Sequence, residues 1–301
     1  MAFTLNLPYA LCYSATQLAR RRLSRHPDAL QQDQSAYFEH QYRDTNQRYY
    51  THMRDLDLSG KAVLDVGCGL GGRALGWLDL GARHVTNVDI NRQELQAGET
   101  ILRLRYADRV PQVSYRHPDD MTDADRADVA ILFDSFEHLV DPGALLRQVH
   151  GWLRPGGVLW VGSIGWYNYV ASHCTGNHIP IPWCQVWFSE TAIIKTIRTL
   201  LRSPGYTPNV WERMEGLGRW DSVTTLRDRP GEPLNMLSLR QIRRVMRASP
   251  FDVRRFRVHG FSGRTNRLAR VVAPLTRLPI LEEFLHSYYS AILVKPSEAA
   301  H

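Results

Sequence analysis

The stretch Val63-Leu64-Asp65-Val66-Gly67-Cys68-Gly69-Leu70-Gly71-Gly72, VLDVGCGLGG, decides how this chain is read. A short apolar run ends in a glycine-rich turn, with a helix expected after it. Glycines let a backbone approach a bound molecule closely, and the N-terminus of the following helix points at it. Gly67, Gly69 and Gly72 satisfy the dinucleotide pattern G-x-G-x-x-G. Asp65 speaks against that reading, because an acid aimed at the loop repels a pyrophosphate and welcomes a positively charged ligand.

Outward from this loop, residues 61 to 163 alternate short apolar runs with amphipathic segments, the signature of an α/β fold with a parallel sheet. Strands are expected at Ala62 to Val66, His84 to Asp89, Gln112 to Tyr115, Ala127 to Phe133 and Gly157 to Gly162. Helix starts are marked by Asn91 with Glu94 three residues on, and by Asp141 followed by Pro142. Arg154-Pro155-Gly156-Gly157 is expected to stop the second of these helices and turn into the next strand. From Ser163 to about Leu237 the alternation gives way to an aromatic, Pro- and Gly-punctuated insertion with one helix beginning at Ser189. Regular pattern resumes at Ser238, whose Ser-x-x-Gln pair with Gln241 caps a helix, and two more strands are expected near Phe251 and Ser287. The divisions are therefore 1–58, an N-terminal helical cap; 59–163, a ligand-binding core; 164–237, a substrate-binding insertion or cap; and 238–301, completion of the core sheet. Long irregular insertions in compact domains commonly serve as functional lids.

The ordered motifs resemble the class I S-adenosylmethionine-dependent methyltransferases, whose first motif reads apolar-apolar-acid-apolar-Gly-x-Gly-x-Gly. VLDVGCGLG matches every defined position, VTNVDIN follows with Asp89, and VSYRHPDDM aligns with the third-strand motif. The Glu-His, Asp-Pro and Arg-Pro-Gly-Gly elements of residues 128–161 are similar to the fourth and fifth strand motifs. The resemblance implies a Rossmann-like, seven-stranded, mostly parallel sheet with one antiparallel strand and helices on both faces. It also implies S-adenosylmethionine as cofactor and S-adenosylhomocysteine as product, held by the loop of Asp65, Gly67, Cys68, Gly69 and Gly71. Asp89 would accept the ribose hydroxyls and Ile90 would pack on the adenine. Asp119, with Asp120 as the alternative, would meet the adenine amino group, aided by the backbone amide of Met121. Phe133, through its backbone, and Asp134 would face the methionine portion. Asp134 departs from the family, in which a small neutral residue is common there, so its role toward cofactor or substrate stays open.

Methyl transfer leaves the protein to align the acceptor, exclude water and, for a hydroxyl, accept a proton. His138, His173 and His178 are the candidate bases, each weighed against an ordinary structural histidine. Tyr37, Tyr42, Trp166, Tyr169 and Trp183 are candidate linings of the acceptor pocket, with plain packing as the alternative. The run HCTGNH with Cys184 lacks C-x-x-C pairing, and no metal site is expected.

Composition bounds the rest. The 301 residues suffice for one elaborated domain, and 44% hydrophobic with 22% charged residues is ordinary globular composition. No apolar run reaches the roughly 18 residues of a membrane span, and the start has no secretory pattern. Four scattered cysteines make no disulfide framework, so a soluble protein of the reducing cytoplasm is expected. The net charge of +7 is carried almost wholly by arginine, the only lysines being Lys61, Lys195 and Lys295. That bias reads either as genome composition or as a basic face, in ARRRLSRH and in the run from Arg240 to Arg270, for nucleic acid, membrane or an acidic substrate. The expected partner is a small-molecule acceptor, methylated at oxygen or nitrogen. The alternatives are a methyltransferase acting on RNA or another macromolecule, or a non-catalytic partner protein that keeps the fold.

Overall fold

The continuous apolar runs become strands buried on both faces, as the middle of a parallel sheet requires. The computed structural model describes residues 4–22, 33–170, 178–204, 206, 208, 216–228, 233–260 and 273–297. Its strands are β1 (Ala62–Val66), β2 (His84–Val88), β3 (Val113–Arg116), β4 (Ala127–Phe133), β5 (Leu153–Ser163), β6 (Asp252–Gly260) and β7 (His286–Val294). They form one seven-stranded sheet in the order β3-β2-β1-β4-β5-β7-β6. Pairing is parallel from β3 through β5, and β7 runs antiparallel to both β5 and β6. The single antiparallel strand is as the resemblance implies. One local expectation changes: Arg154 to Gly157 is not a turn before β5 but a bulge within it, since Leu153 already pairs with Ala127 before the register shifts.

The longer helices are α1 (Tyr9–Arg22), α2 (Gln34–Arg48), α3 (Arg73–Asp79), α4 (Arg92–Arg105), α5 (Pro142–Trp152), α6 (Glu190–Leu201) and α7 (Leu239–Arg247). Local chemistry sets their starts. Asn91, Asp141, Ser189 and Ser238 each accept a hydrogen bond from a backbone N–H of the first turn, and Ser238 with Gln241 closes a full capping box.

Alternation along β1 sends Val63 to one face and Leu64 and Val66 to the other. On the first face α2, α3 and α4 bury Phe38, Trp77, Ile101 and Leu102. On the second, α5 and α7 bury Leu146, Val149, Ile242 and Met246. Each such fully buried side chain contributes about 1.5–3 kcal/mol relative to exposure. A third cluster joins Cys12 of α1 to Ile193 and Ile197 of α6 and to Trp220 and Leu226. Among the described residues no helix is long and apolar enough to cross a membrane.

Candidate active site

Parallel strands that all end on one side leave a crevice beyond their carboxyl ends, where the strand order reverses. Here β1 lies between β2 and β4, and a cleft of about 980 Å³ opens beyond their ends. Gly67, Cys68, Gly69, Asp89, Ile90, Phe133, Asp134 and His138 line it, with Tyr37 from α2. The strand ends thus bring together residues far apart in the chain.

The loop keeps its shape through backbone that only glycine adopts freely. Gly67 and Gly71 have φ of 73° and 77°, and a Cβ on Gly71 would sit 2.3 Å from Asn87 Nδ2. Gly72 serves α2 instead: a Cβ there would lie 2.2 Å from the Phe38 carbonyl oxygen. That close approach lets Gln41 clamp the loop, its Nε2 donating to Cys68 O at 3.1 Å and its Oε1 accepting from Gly72 N at 3.1 Å.

Asp89 ends its strand inside the cleft. One carboxylate oxygen accepts from Gly69 N at 2.8 Å and the other from Asn91 N at 2.9 Å. Burial pushes this carboxyl upward, opposed by those two backbone bonds. Each oxygen keeps a further lone pair for a ligand hydroxyl. Beside it Ile90 is 79% exposed, an aliphatic face left uncovered on the wall.

Asp65 is placed differently from the sequence reading. It is 1% exposed, does not line the cleft, and accepts from the Trp77 indole N–H at 2.9 Å. Burial raises its carboxyl, opposed first by Arg73 and then by the Trp77 bond. The pleat of β1 turns it under α3, so it acts on the loop from below. Gly71 likewise shapes the turn without reaching the cleft surface. What does face the cleft is Arg73, which sequence reasoning missed. Its guanidinium lies over the Phe133 ring, 4.8 Å from the centroid, and no carboxylate among the described residues comes within ion-pair distance. Asp65, Asp134 and Asp44 attract it from further away. Its position, directly after a glycine loop and before an apolar helix, was the available signal.

Asp119, Asp120 and Met121 also stand off the cleft, where His117 and Pro118 form the wall. The 3₁₀ turn Pro118–Asp120 carries the carboxylates outward: Asp120 pairs with Arg92 at 2.7 Å, and the Asp119 side chain is largely exposed. Asp134 does reach the cleft, in a left-handed conformation with φ of 49°, and its carboxylate lies 3.7 Å from Arg48. Arg48 in turn bonds Asp44 at 3.0 Å.

His138 is the one candidate base that the described residues bring to the cleft. Its Nδ1 lies 3.1 Å from the Pro233 carbonyl oxygen, which only accepts, so Nδ1 carries the proton. The buried Glu137 carboxylate is 4.0 Å from Nε2. His178 is instead 2% exposed within the third cluster, against Trp220 and Tyr206. His173 lies outside the described residues. Trp166, Tyr169 and Trp183 do not line the cleft either: Trp183 donates to Phe284 O at 2.9 Å and packs against Tyr169, and Trp166 joins the third cluster. The aromatic insertion buries much of its area against α1 in the third cluster, and among its described residues Pro233 alone reaches the cleft. Tyr42 is turned away as well, donating to Asp79 at 2.6 Å.

The chain is similar to known proteins over much of its length. The model of a methyltransferase-domain family matches residues 38–255, well over half of the chain. A ubiquinone biosynthesis O-methyltransferase of Marinobacter nauticus is 31% identical over 115 residues, 36% of this chain and 46% of that protein. The chain therefore matches about half the length of that curated relative. Among solved structures, an S-adenosylmethionine dependent methyltransferase from Mesorhizobium loti aligns over 82% of this chain and 97% of its own, at 15% identity and a TM-score of 0.48. Magnesium protoporphyrin IX methyltransferase from Synechocystis, with bound S-adenosylhomocysteine, aligns over 95% of this chain and 97% of its own, at 14% identity and a TM-score of 0.43.

Proposed function

This chain belongs to the S-adenosylmethionine-dependent methyltransferase family, and from that premise we propose that it methylates an oxygen or nitrogen of a small molecule. The observation that carries the reading is one shared space: the glycine loop, Asp89, Asp134 and His138 all line a single cleft of about 980 Å³. That volume lies at the upper end of small-molecule sites, enough for cofactor and a compact acceptor together. The similarity to ubiquinone biosynthesis O-methyltransferases favours oxygen.

The lining fits the cofactor by its chemistry. Asp89 takes the ribose hydroxyls, and exposed Ile90 with His117 and Pro118 takes the adenine. Arg73, a largely buried cation without an ion-pair partner among the described residues, takes the methionine carboxylate. When bound, the cofactor supplies a methyl already activated by its sulfonium. Asp134 and Arg48 orient the acceptor. His138 Nε2 receives the proton of an acceptor hydroxyl, and buried Glu137 stabilises the imidazolium that forms.

The test has two stages. Calorimetry with S-adenosylhomocysteine reads cofactor binding, and absence of binding would overturn the site. Incubation of S-adenosylmethionine with panels of hydroxyl- and amine-bearing small molecules, followed by mass spectrometry for one added methylene, reads the acceptor class. Binding without any product from these panels, but with methyl incorporated into RNA, would overturn the small-molecule reading.

A further inference from the structure

Helix α7 buries Leu239, Ile242 and Met246 and turns its opposite face outward. That face carries Arg240, Arg244 and Arg247, at spacings i, i+4 and i+7, all exposed. Arg243 beside them is answered by Glu282 in a bidentate pair. Glu283 is used at the helix start, accepting from the backbone N–H groups of Leu239 and Arg240. Arg240, Arg244 and Arg247 have no ion-pair partner among the described residues. Like charges at i, i+3 and i, i+4 repel one another, while Arg244 and Arg247 in the last turn also favour the helix dipole.

A second unfavourable feature lies alongside. The segment that leads into Glu282 exposes Leu275, Leu278 at 52% and Ile280 at 77%, all aliphatic. Through the Glu282–Arg243 pair this segment is tied to the arginine helix. Repelling guanidinium groups and uncovered aliphatic side chains therefore lie on two segments joined by one ion pair.

One kind of partner relieves both. We propose that α7 and the segment from Leu275 to Ile280 together bind the surface of an anionic lipid bilayer. Arginines meet the lipid phosphates, and Leu278 and Ile280 enter the boundary between headgroups and acyl chains. RNA would satisfy the charges alone, since aliphatic side chains offer its bases no stacking platform. The chain runs into this helix from the cleft: Pro233, five residues before Ser238, lines the cleft wall, and Asn235 bonds Phe136 O at 2.7 Å.

Flotation of the full chain with phosphatidylcholine vesicles, with and without phosphatidylglycerol, tests the proposal. Binding is expected only to the anionic vesicles, falling as salt rises. The triple variant R240E/R244E/R247E should bind on the order of 100-fold more weakly. L278S/I280S should weaken binding several-fold at unchanged charge. Affinity for S-adenosylhomocysteine, measured in the same variants, reports that they fold and should not change. Failure to float with anionic vesicles, or flotation indifferent to both variants, would overturn the proposal. So would binding of polyuridylate RNA through the same arginines by a protein that leaves the vesicles untouched.

Discussion

Asp65 and Trp77 meet beneath the glycine loop, where the buried carboxylate accepts the indole N–H at 2.9 Å and so ties β1 to α3. The acid that distinguishes the loop motif thus holds the cradle's floor, and Asp89 stands at its surface. The two should respond differently. Asp65→Asn keeps an acceptor for Trp77 and should change affinity for S-adenosylhomocysteine by less than about tenfold. Asp65→Leu leaves the indole N–H unpaired and should lower unfolding stability by roughly 1–3 kcal/mol. Asp89→Ala should weaken the same ligand about 10- to 100-fold. Calorimetry and urea unfolding of the three variants check this, and an equal loss of affinity at both acids would contradict it.

Two glycines in helical surroundings should answer a methyl group with opposite signs. At Gly72 the added Cβ meets the Phe38 carbonyl oxygen at 2.2 Å, so Gly72→Ala should push α2 off the loop. A loss of about 1–3 kcal/mol is expected, with weaker cofactor binding. Gly151 of α5 has nothing within 4 Å, and Gly151→Ala should stabilise by about 0.5–1 kcal/mol. Thermal melts of both variants decide the matter.

His138→Gln should lower kcat about 10²- to 10⁴-fold toward a hydroxyl acceptor while leaving affinity for S-adenosylhomocysteine unchanged. An amine acceptor that binds already deprotonated should lose much less. If both acceptors lose equally, the imidazole positions the acceptor and takes no proton. The comparison needs steady-state kinetics with one acceptor of each class.

His286 sets a pH response of the fold. It is fully buried; its Nδ1–H donates to Glu282 O at 2.8 Å, and its Nε2 accepts from Gly165 N–H at 3.0 Å. Burial pushes it down to about 4 from its ordinary 6.5. A group depressed in this way is neutral in the folded state, whereas the unfolded chain takes up a proton below its ordinary value. Its contribution is therefore complete above pH 6.5 and is lost as pH falls toward 4, by at most about 1.4 kcal/mol per pH unit. His286→Gln should cost stability at pH 7 yet flatten the decline between pH 6.5 and 4. Urea unfolding across that range reads the slope, and an unchanged slope would rule the residue out as its source.

Much of the frame is legible from residues close in sequence. β1 and β4 are largely apolar runs, each interrupted by one acid, and they occupy the spans read from the residues alone. Caps at Asn91, Asp141 and Ser238 reach only two or three residues along the chain, so their chemistry is visible before any fold exists. The order of strand-end residues Gly67, Asp89 and Asp134 likewise announces a crevice beyond β1, β2 and β4.

Which way a side chain turns, and what meets it, depends on partners distant in the chain. Asp65 and Gly67 share one motif, yet Asp65 lies within β1 beneath Trp77, whereas Gly67, just past the strand's end, lines the cleft. Arg73 becomes a cleft cation because Phe133, sixty residues on, offers it a ring. The aromatic insertion announces buried area without saying where: Trp220, His178 and α6 bury it in a separate cluster, while Pro233 returns to bond His138. Hydrophobic burial is non-directional, so composition and periodicity reveal that a surface will be covered. Which surface covers it is decided by the packing of the whole chain.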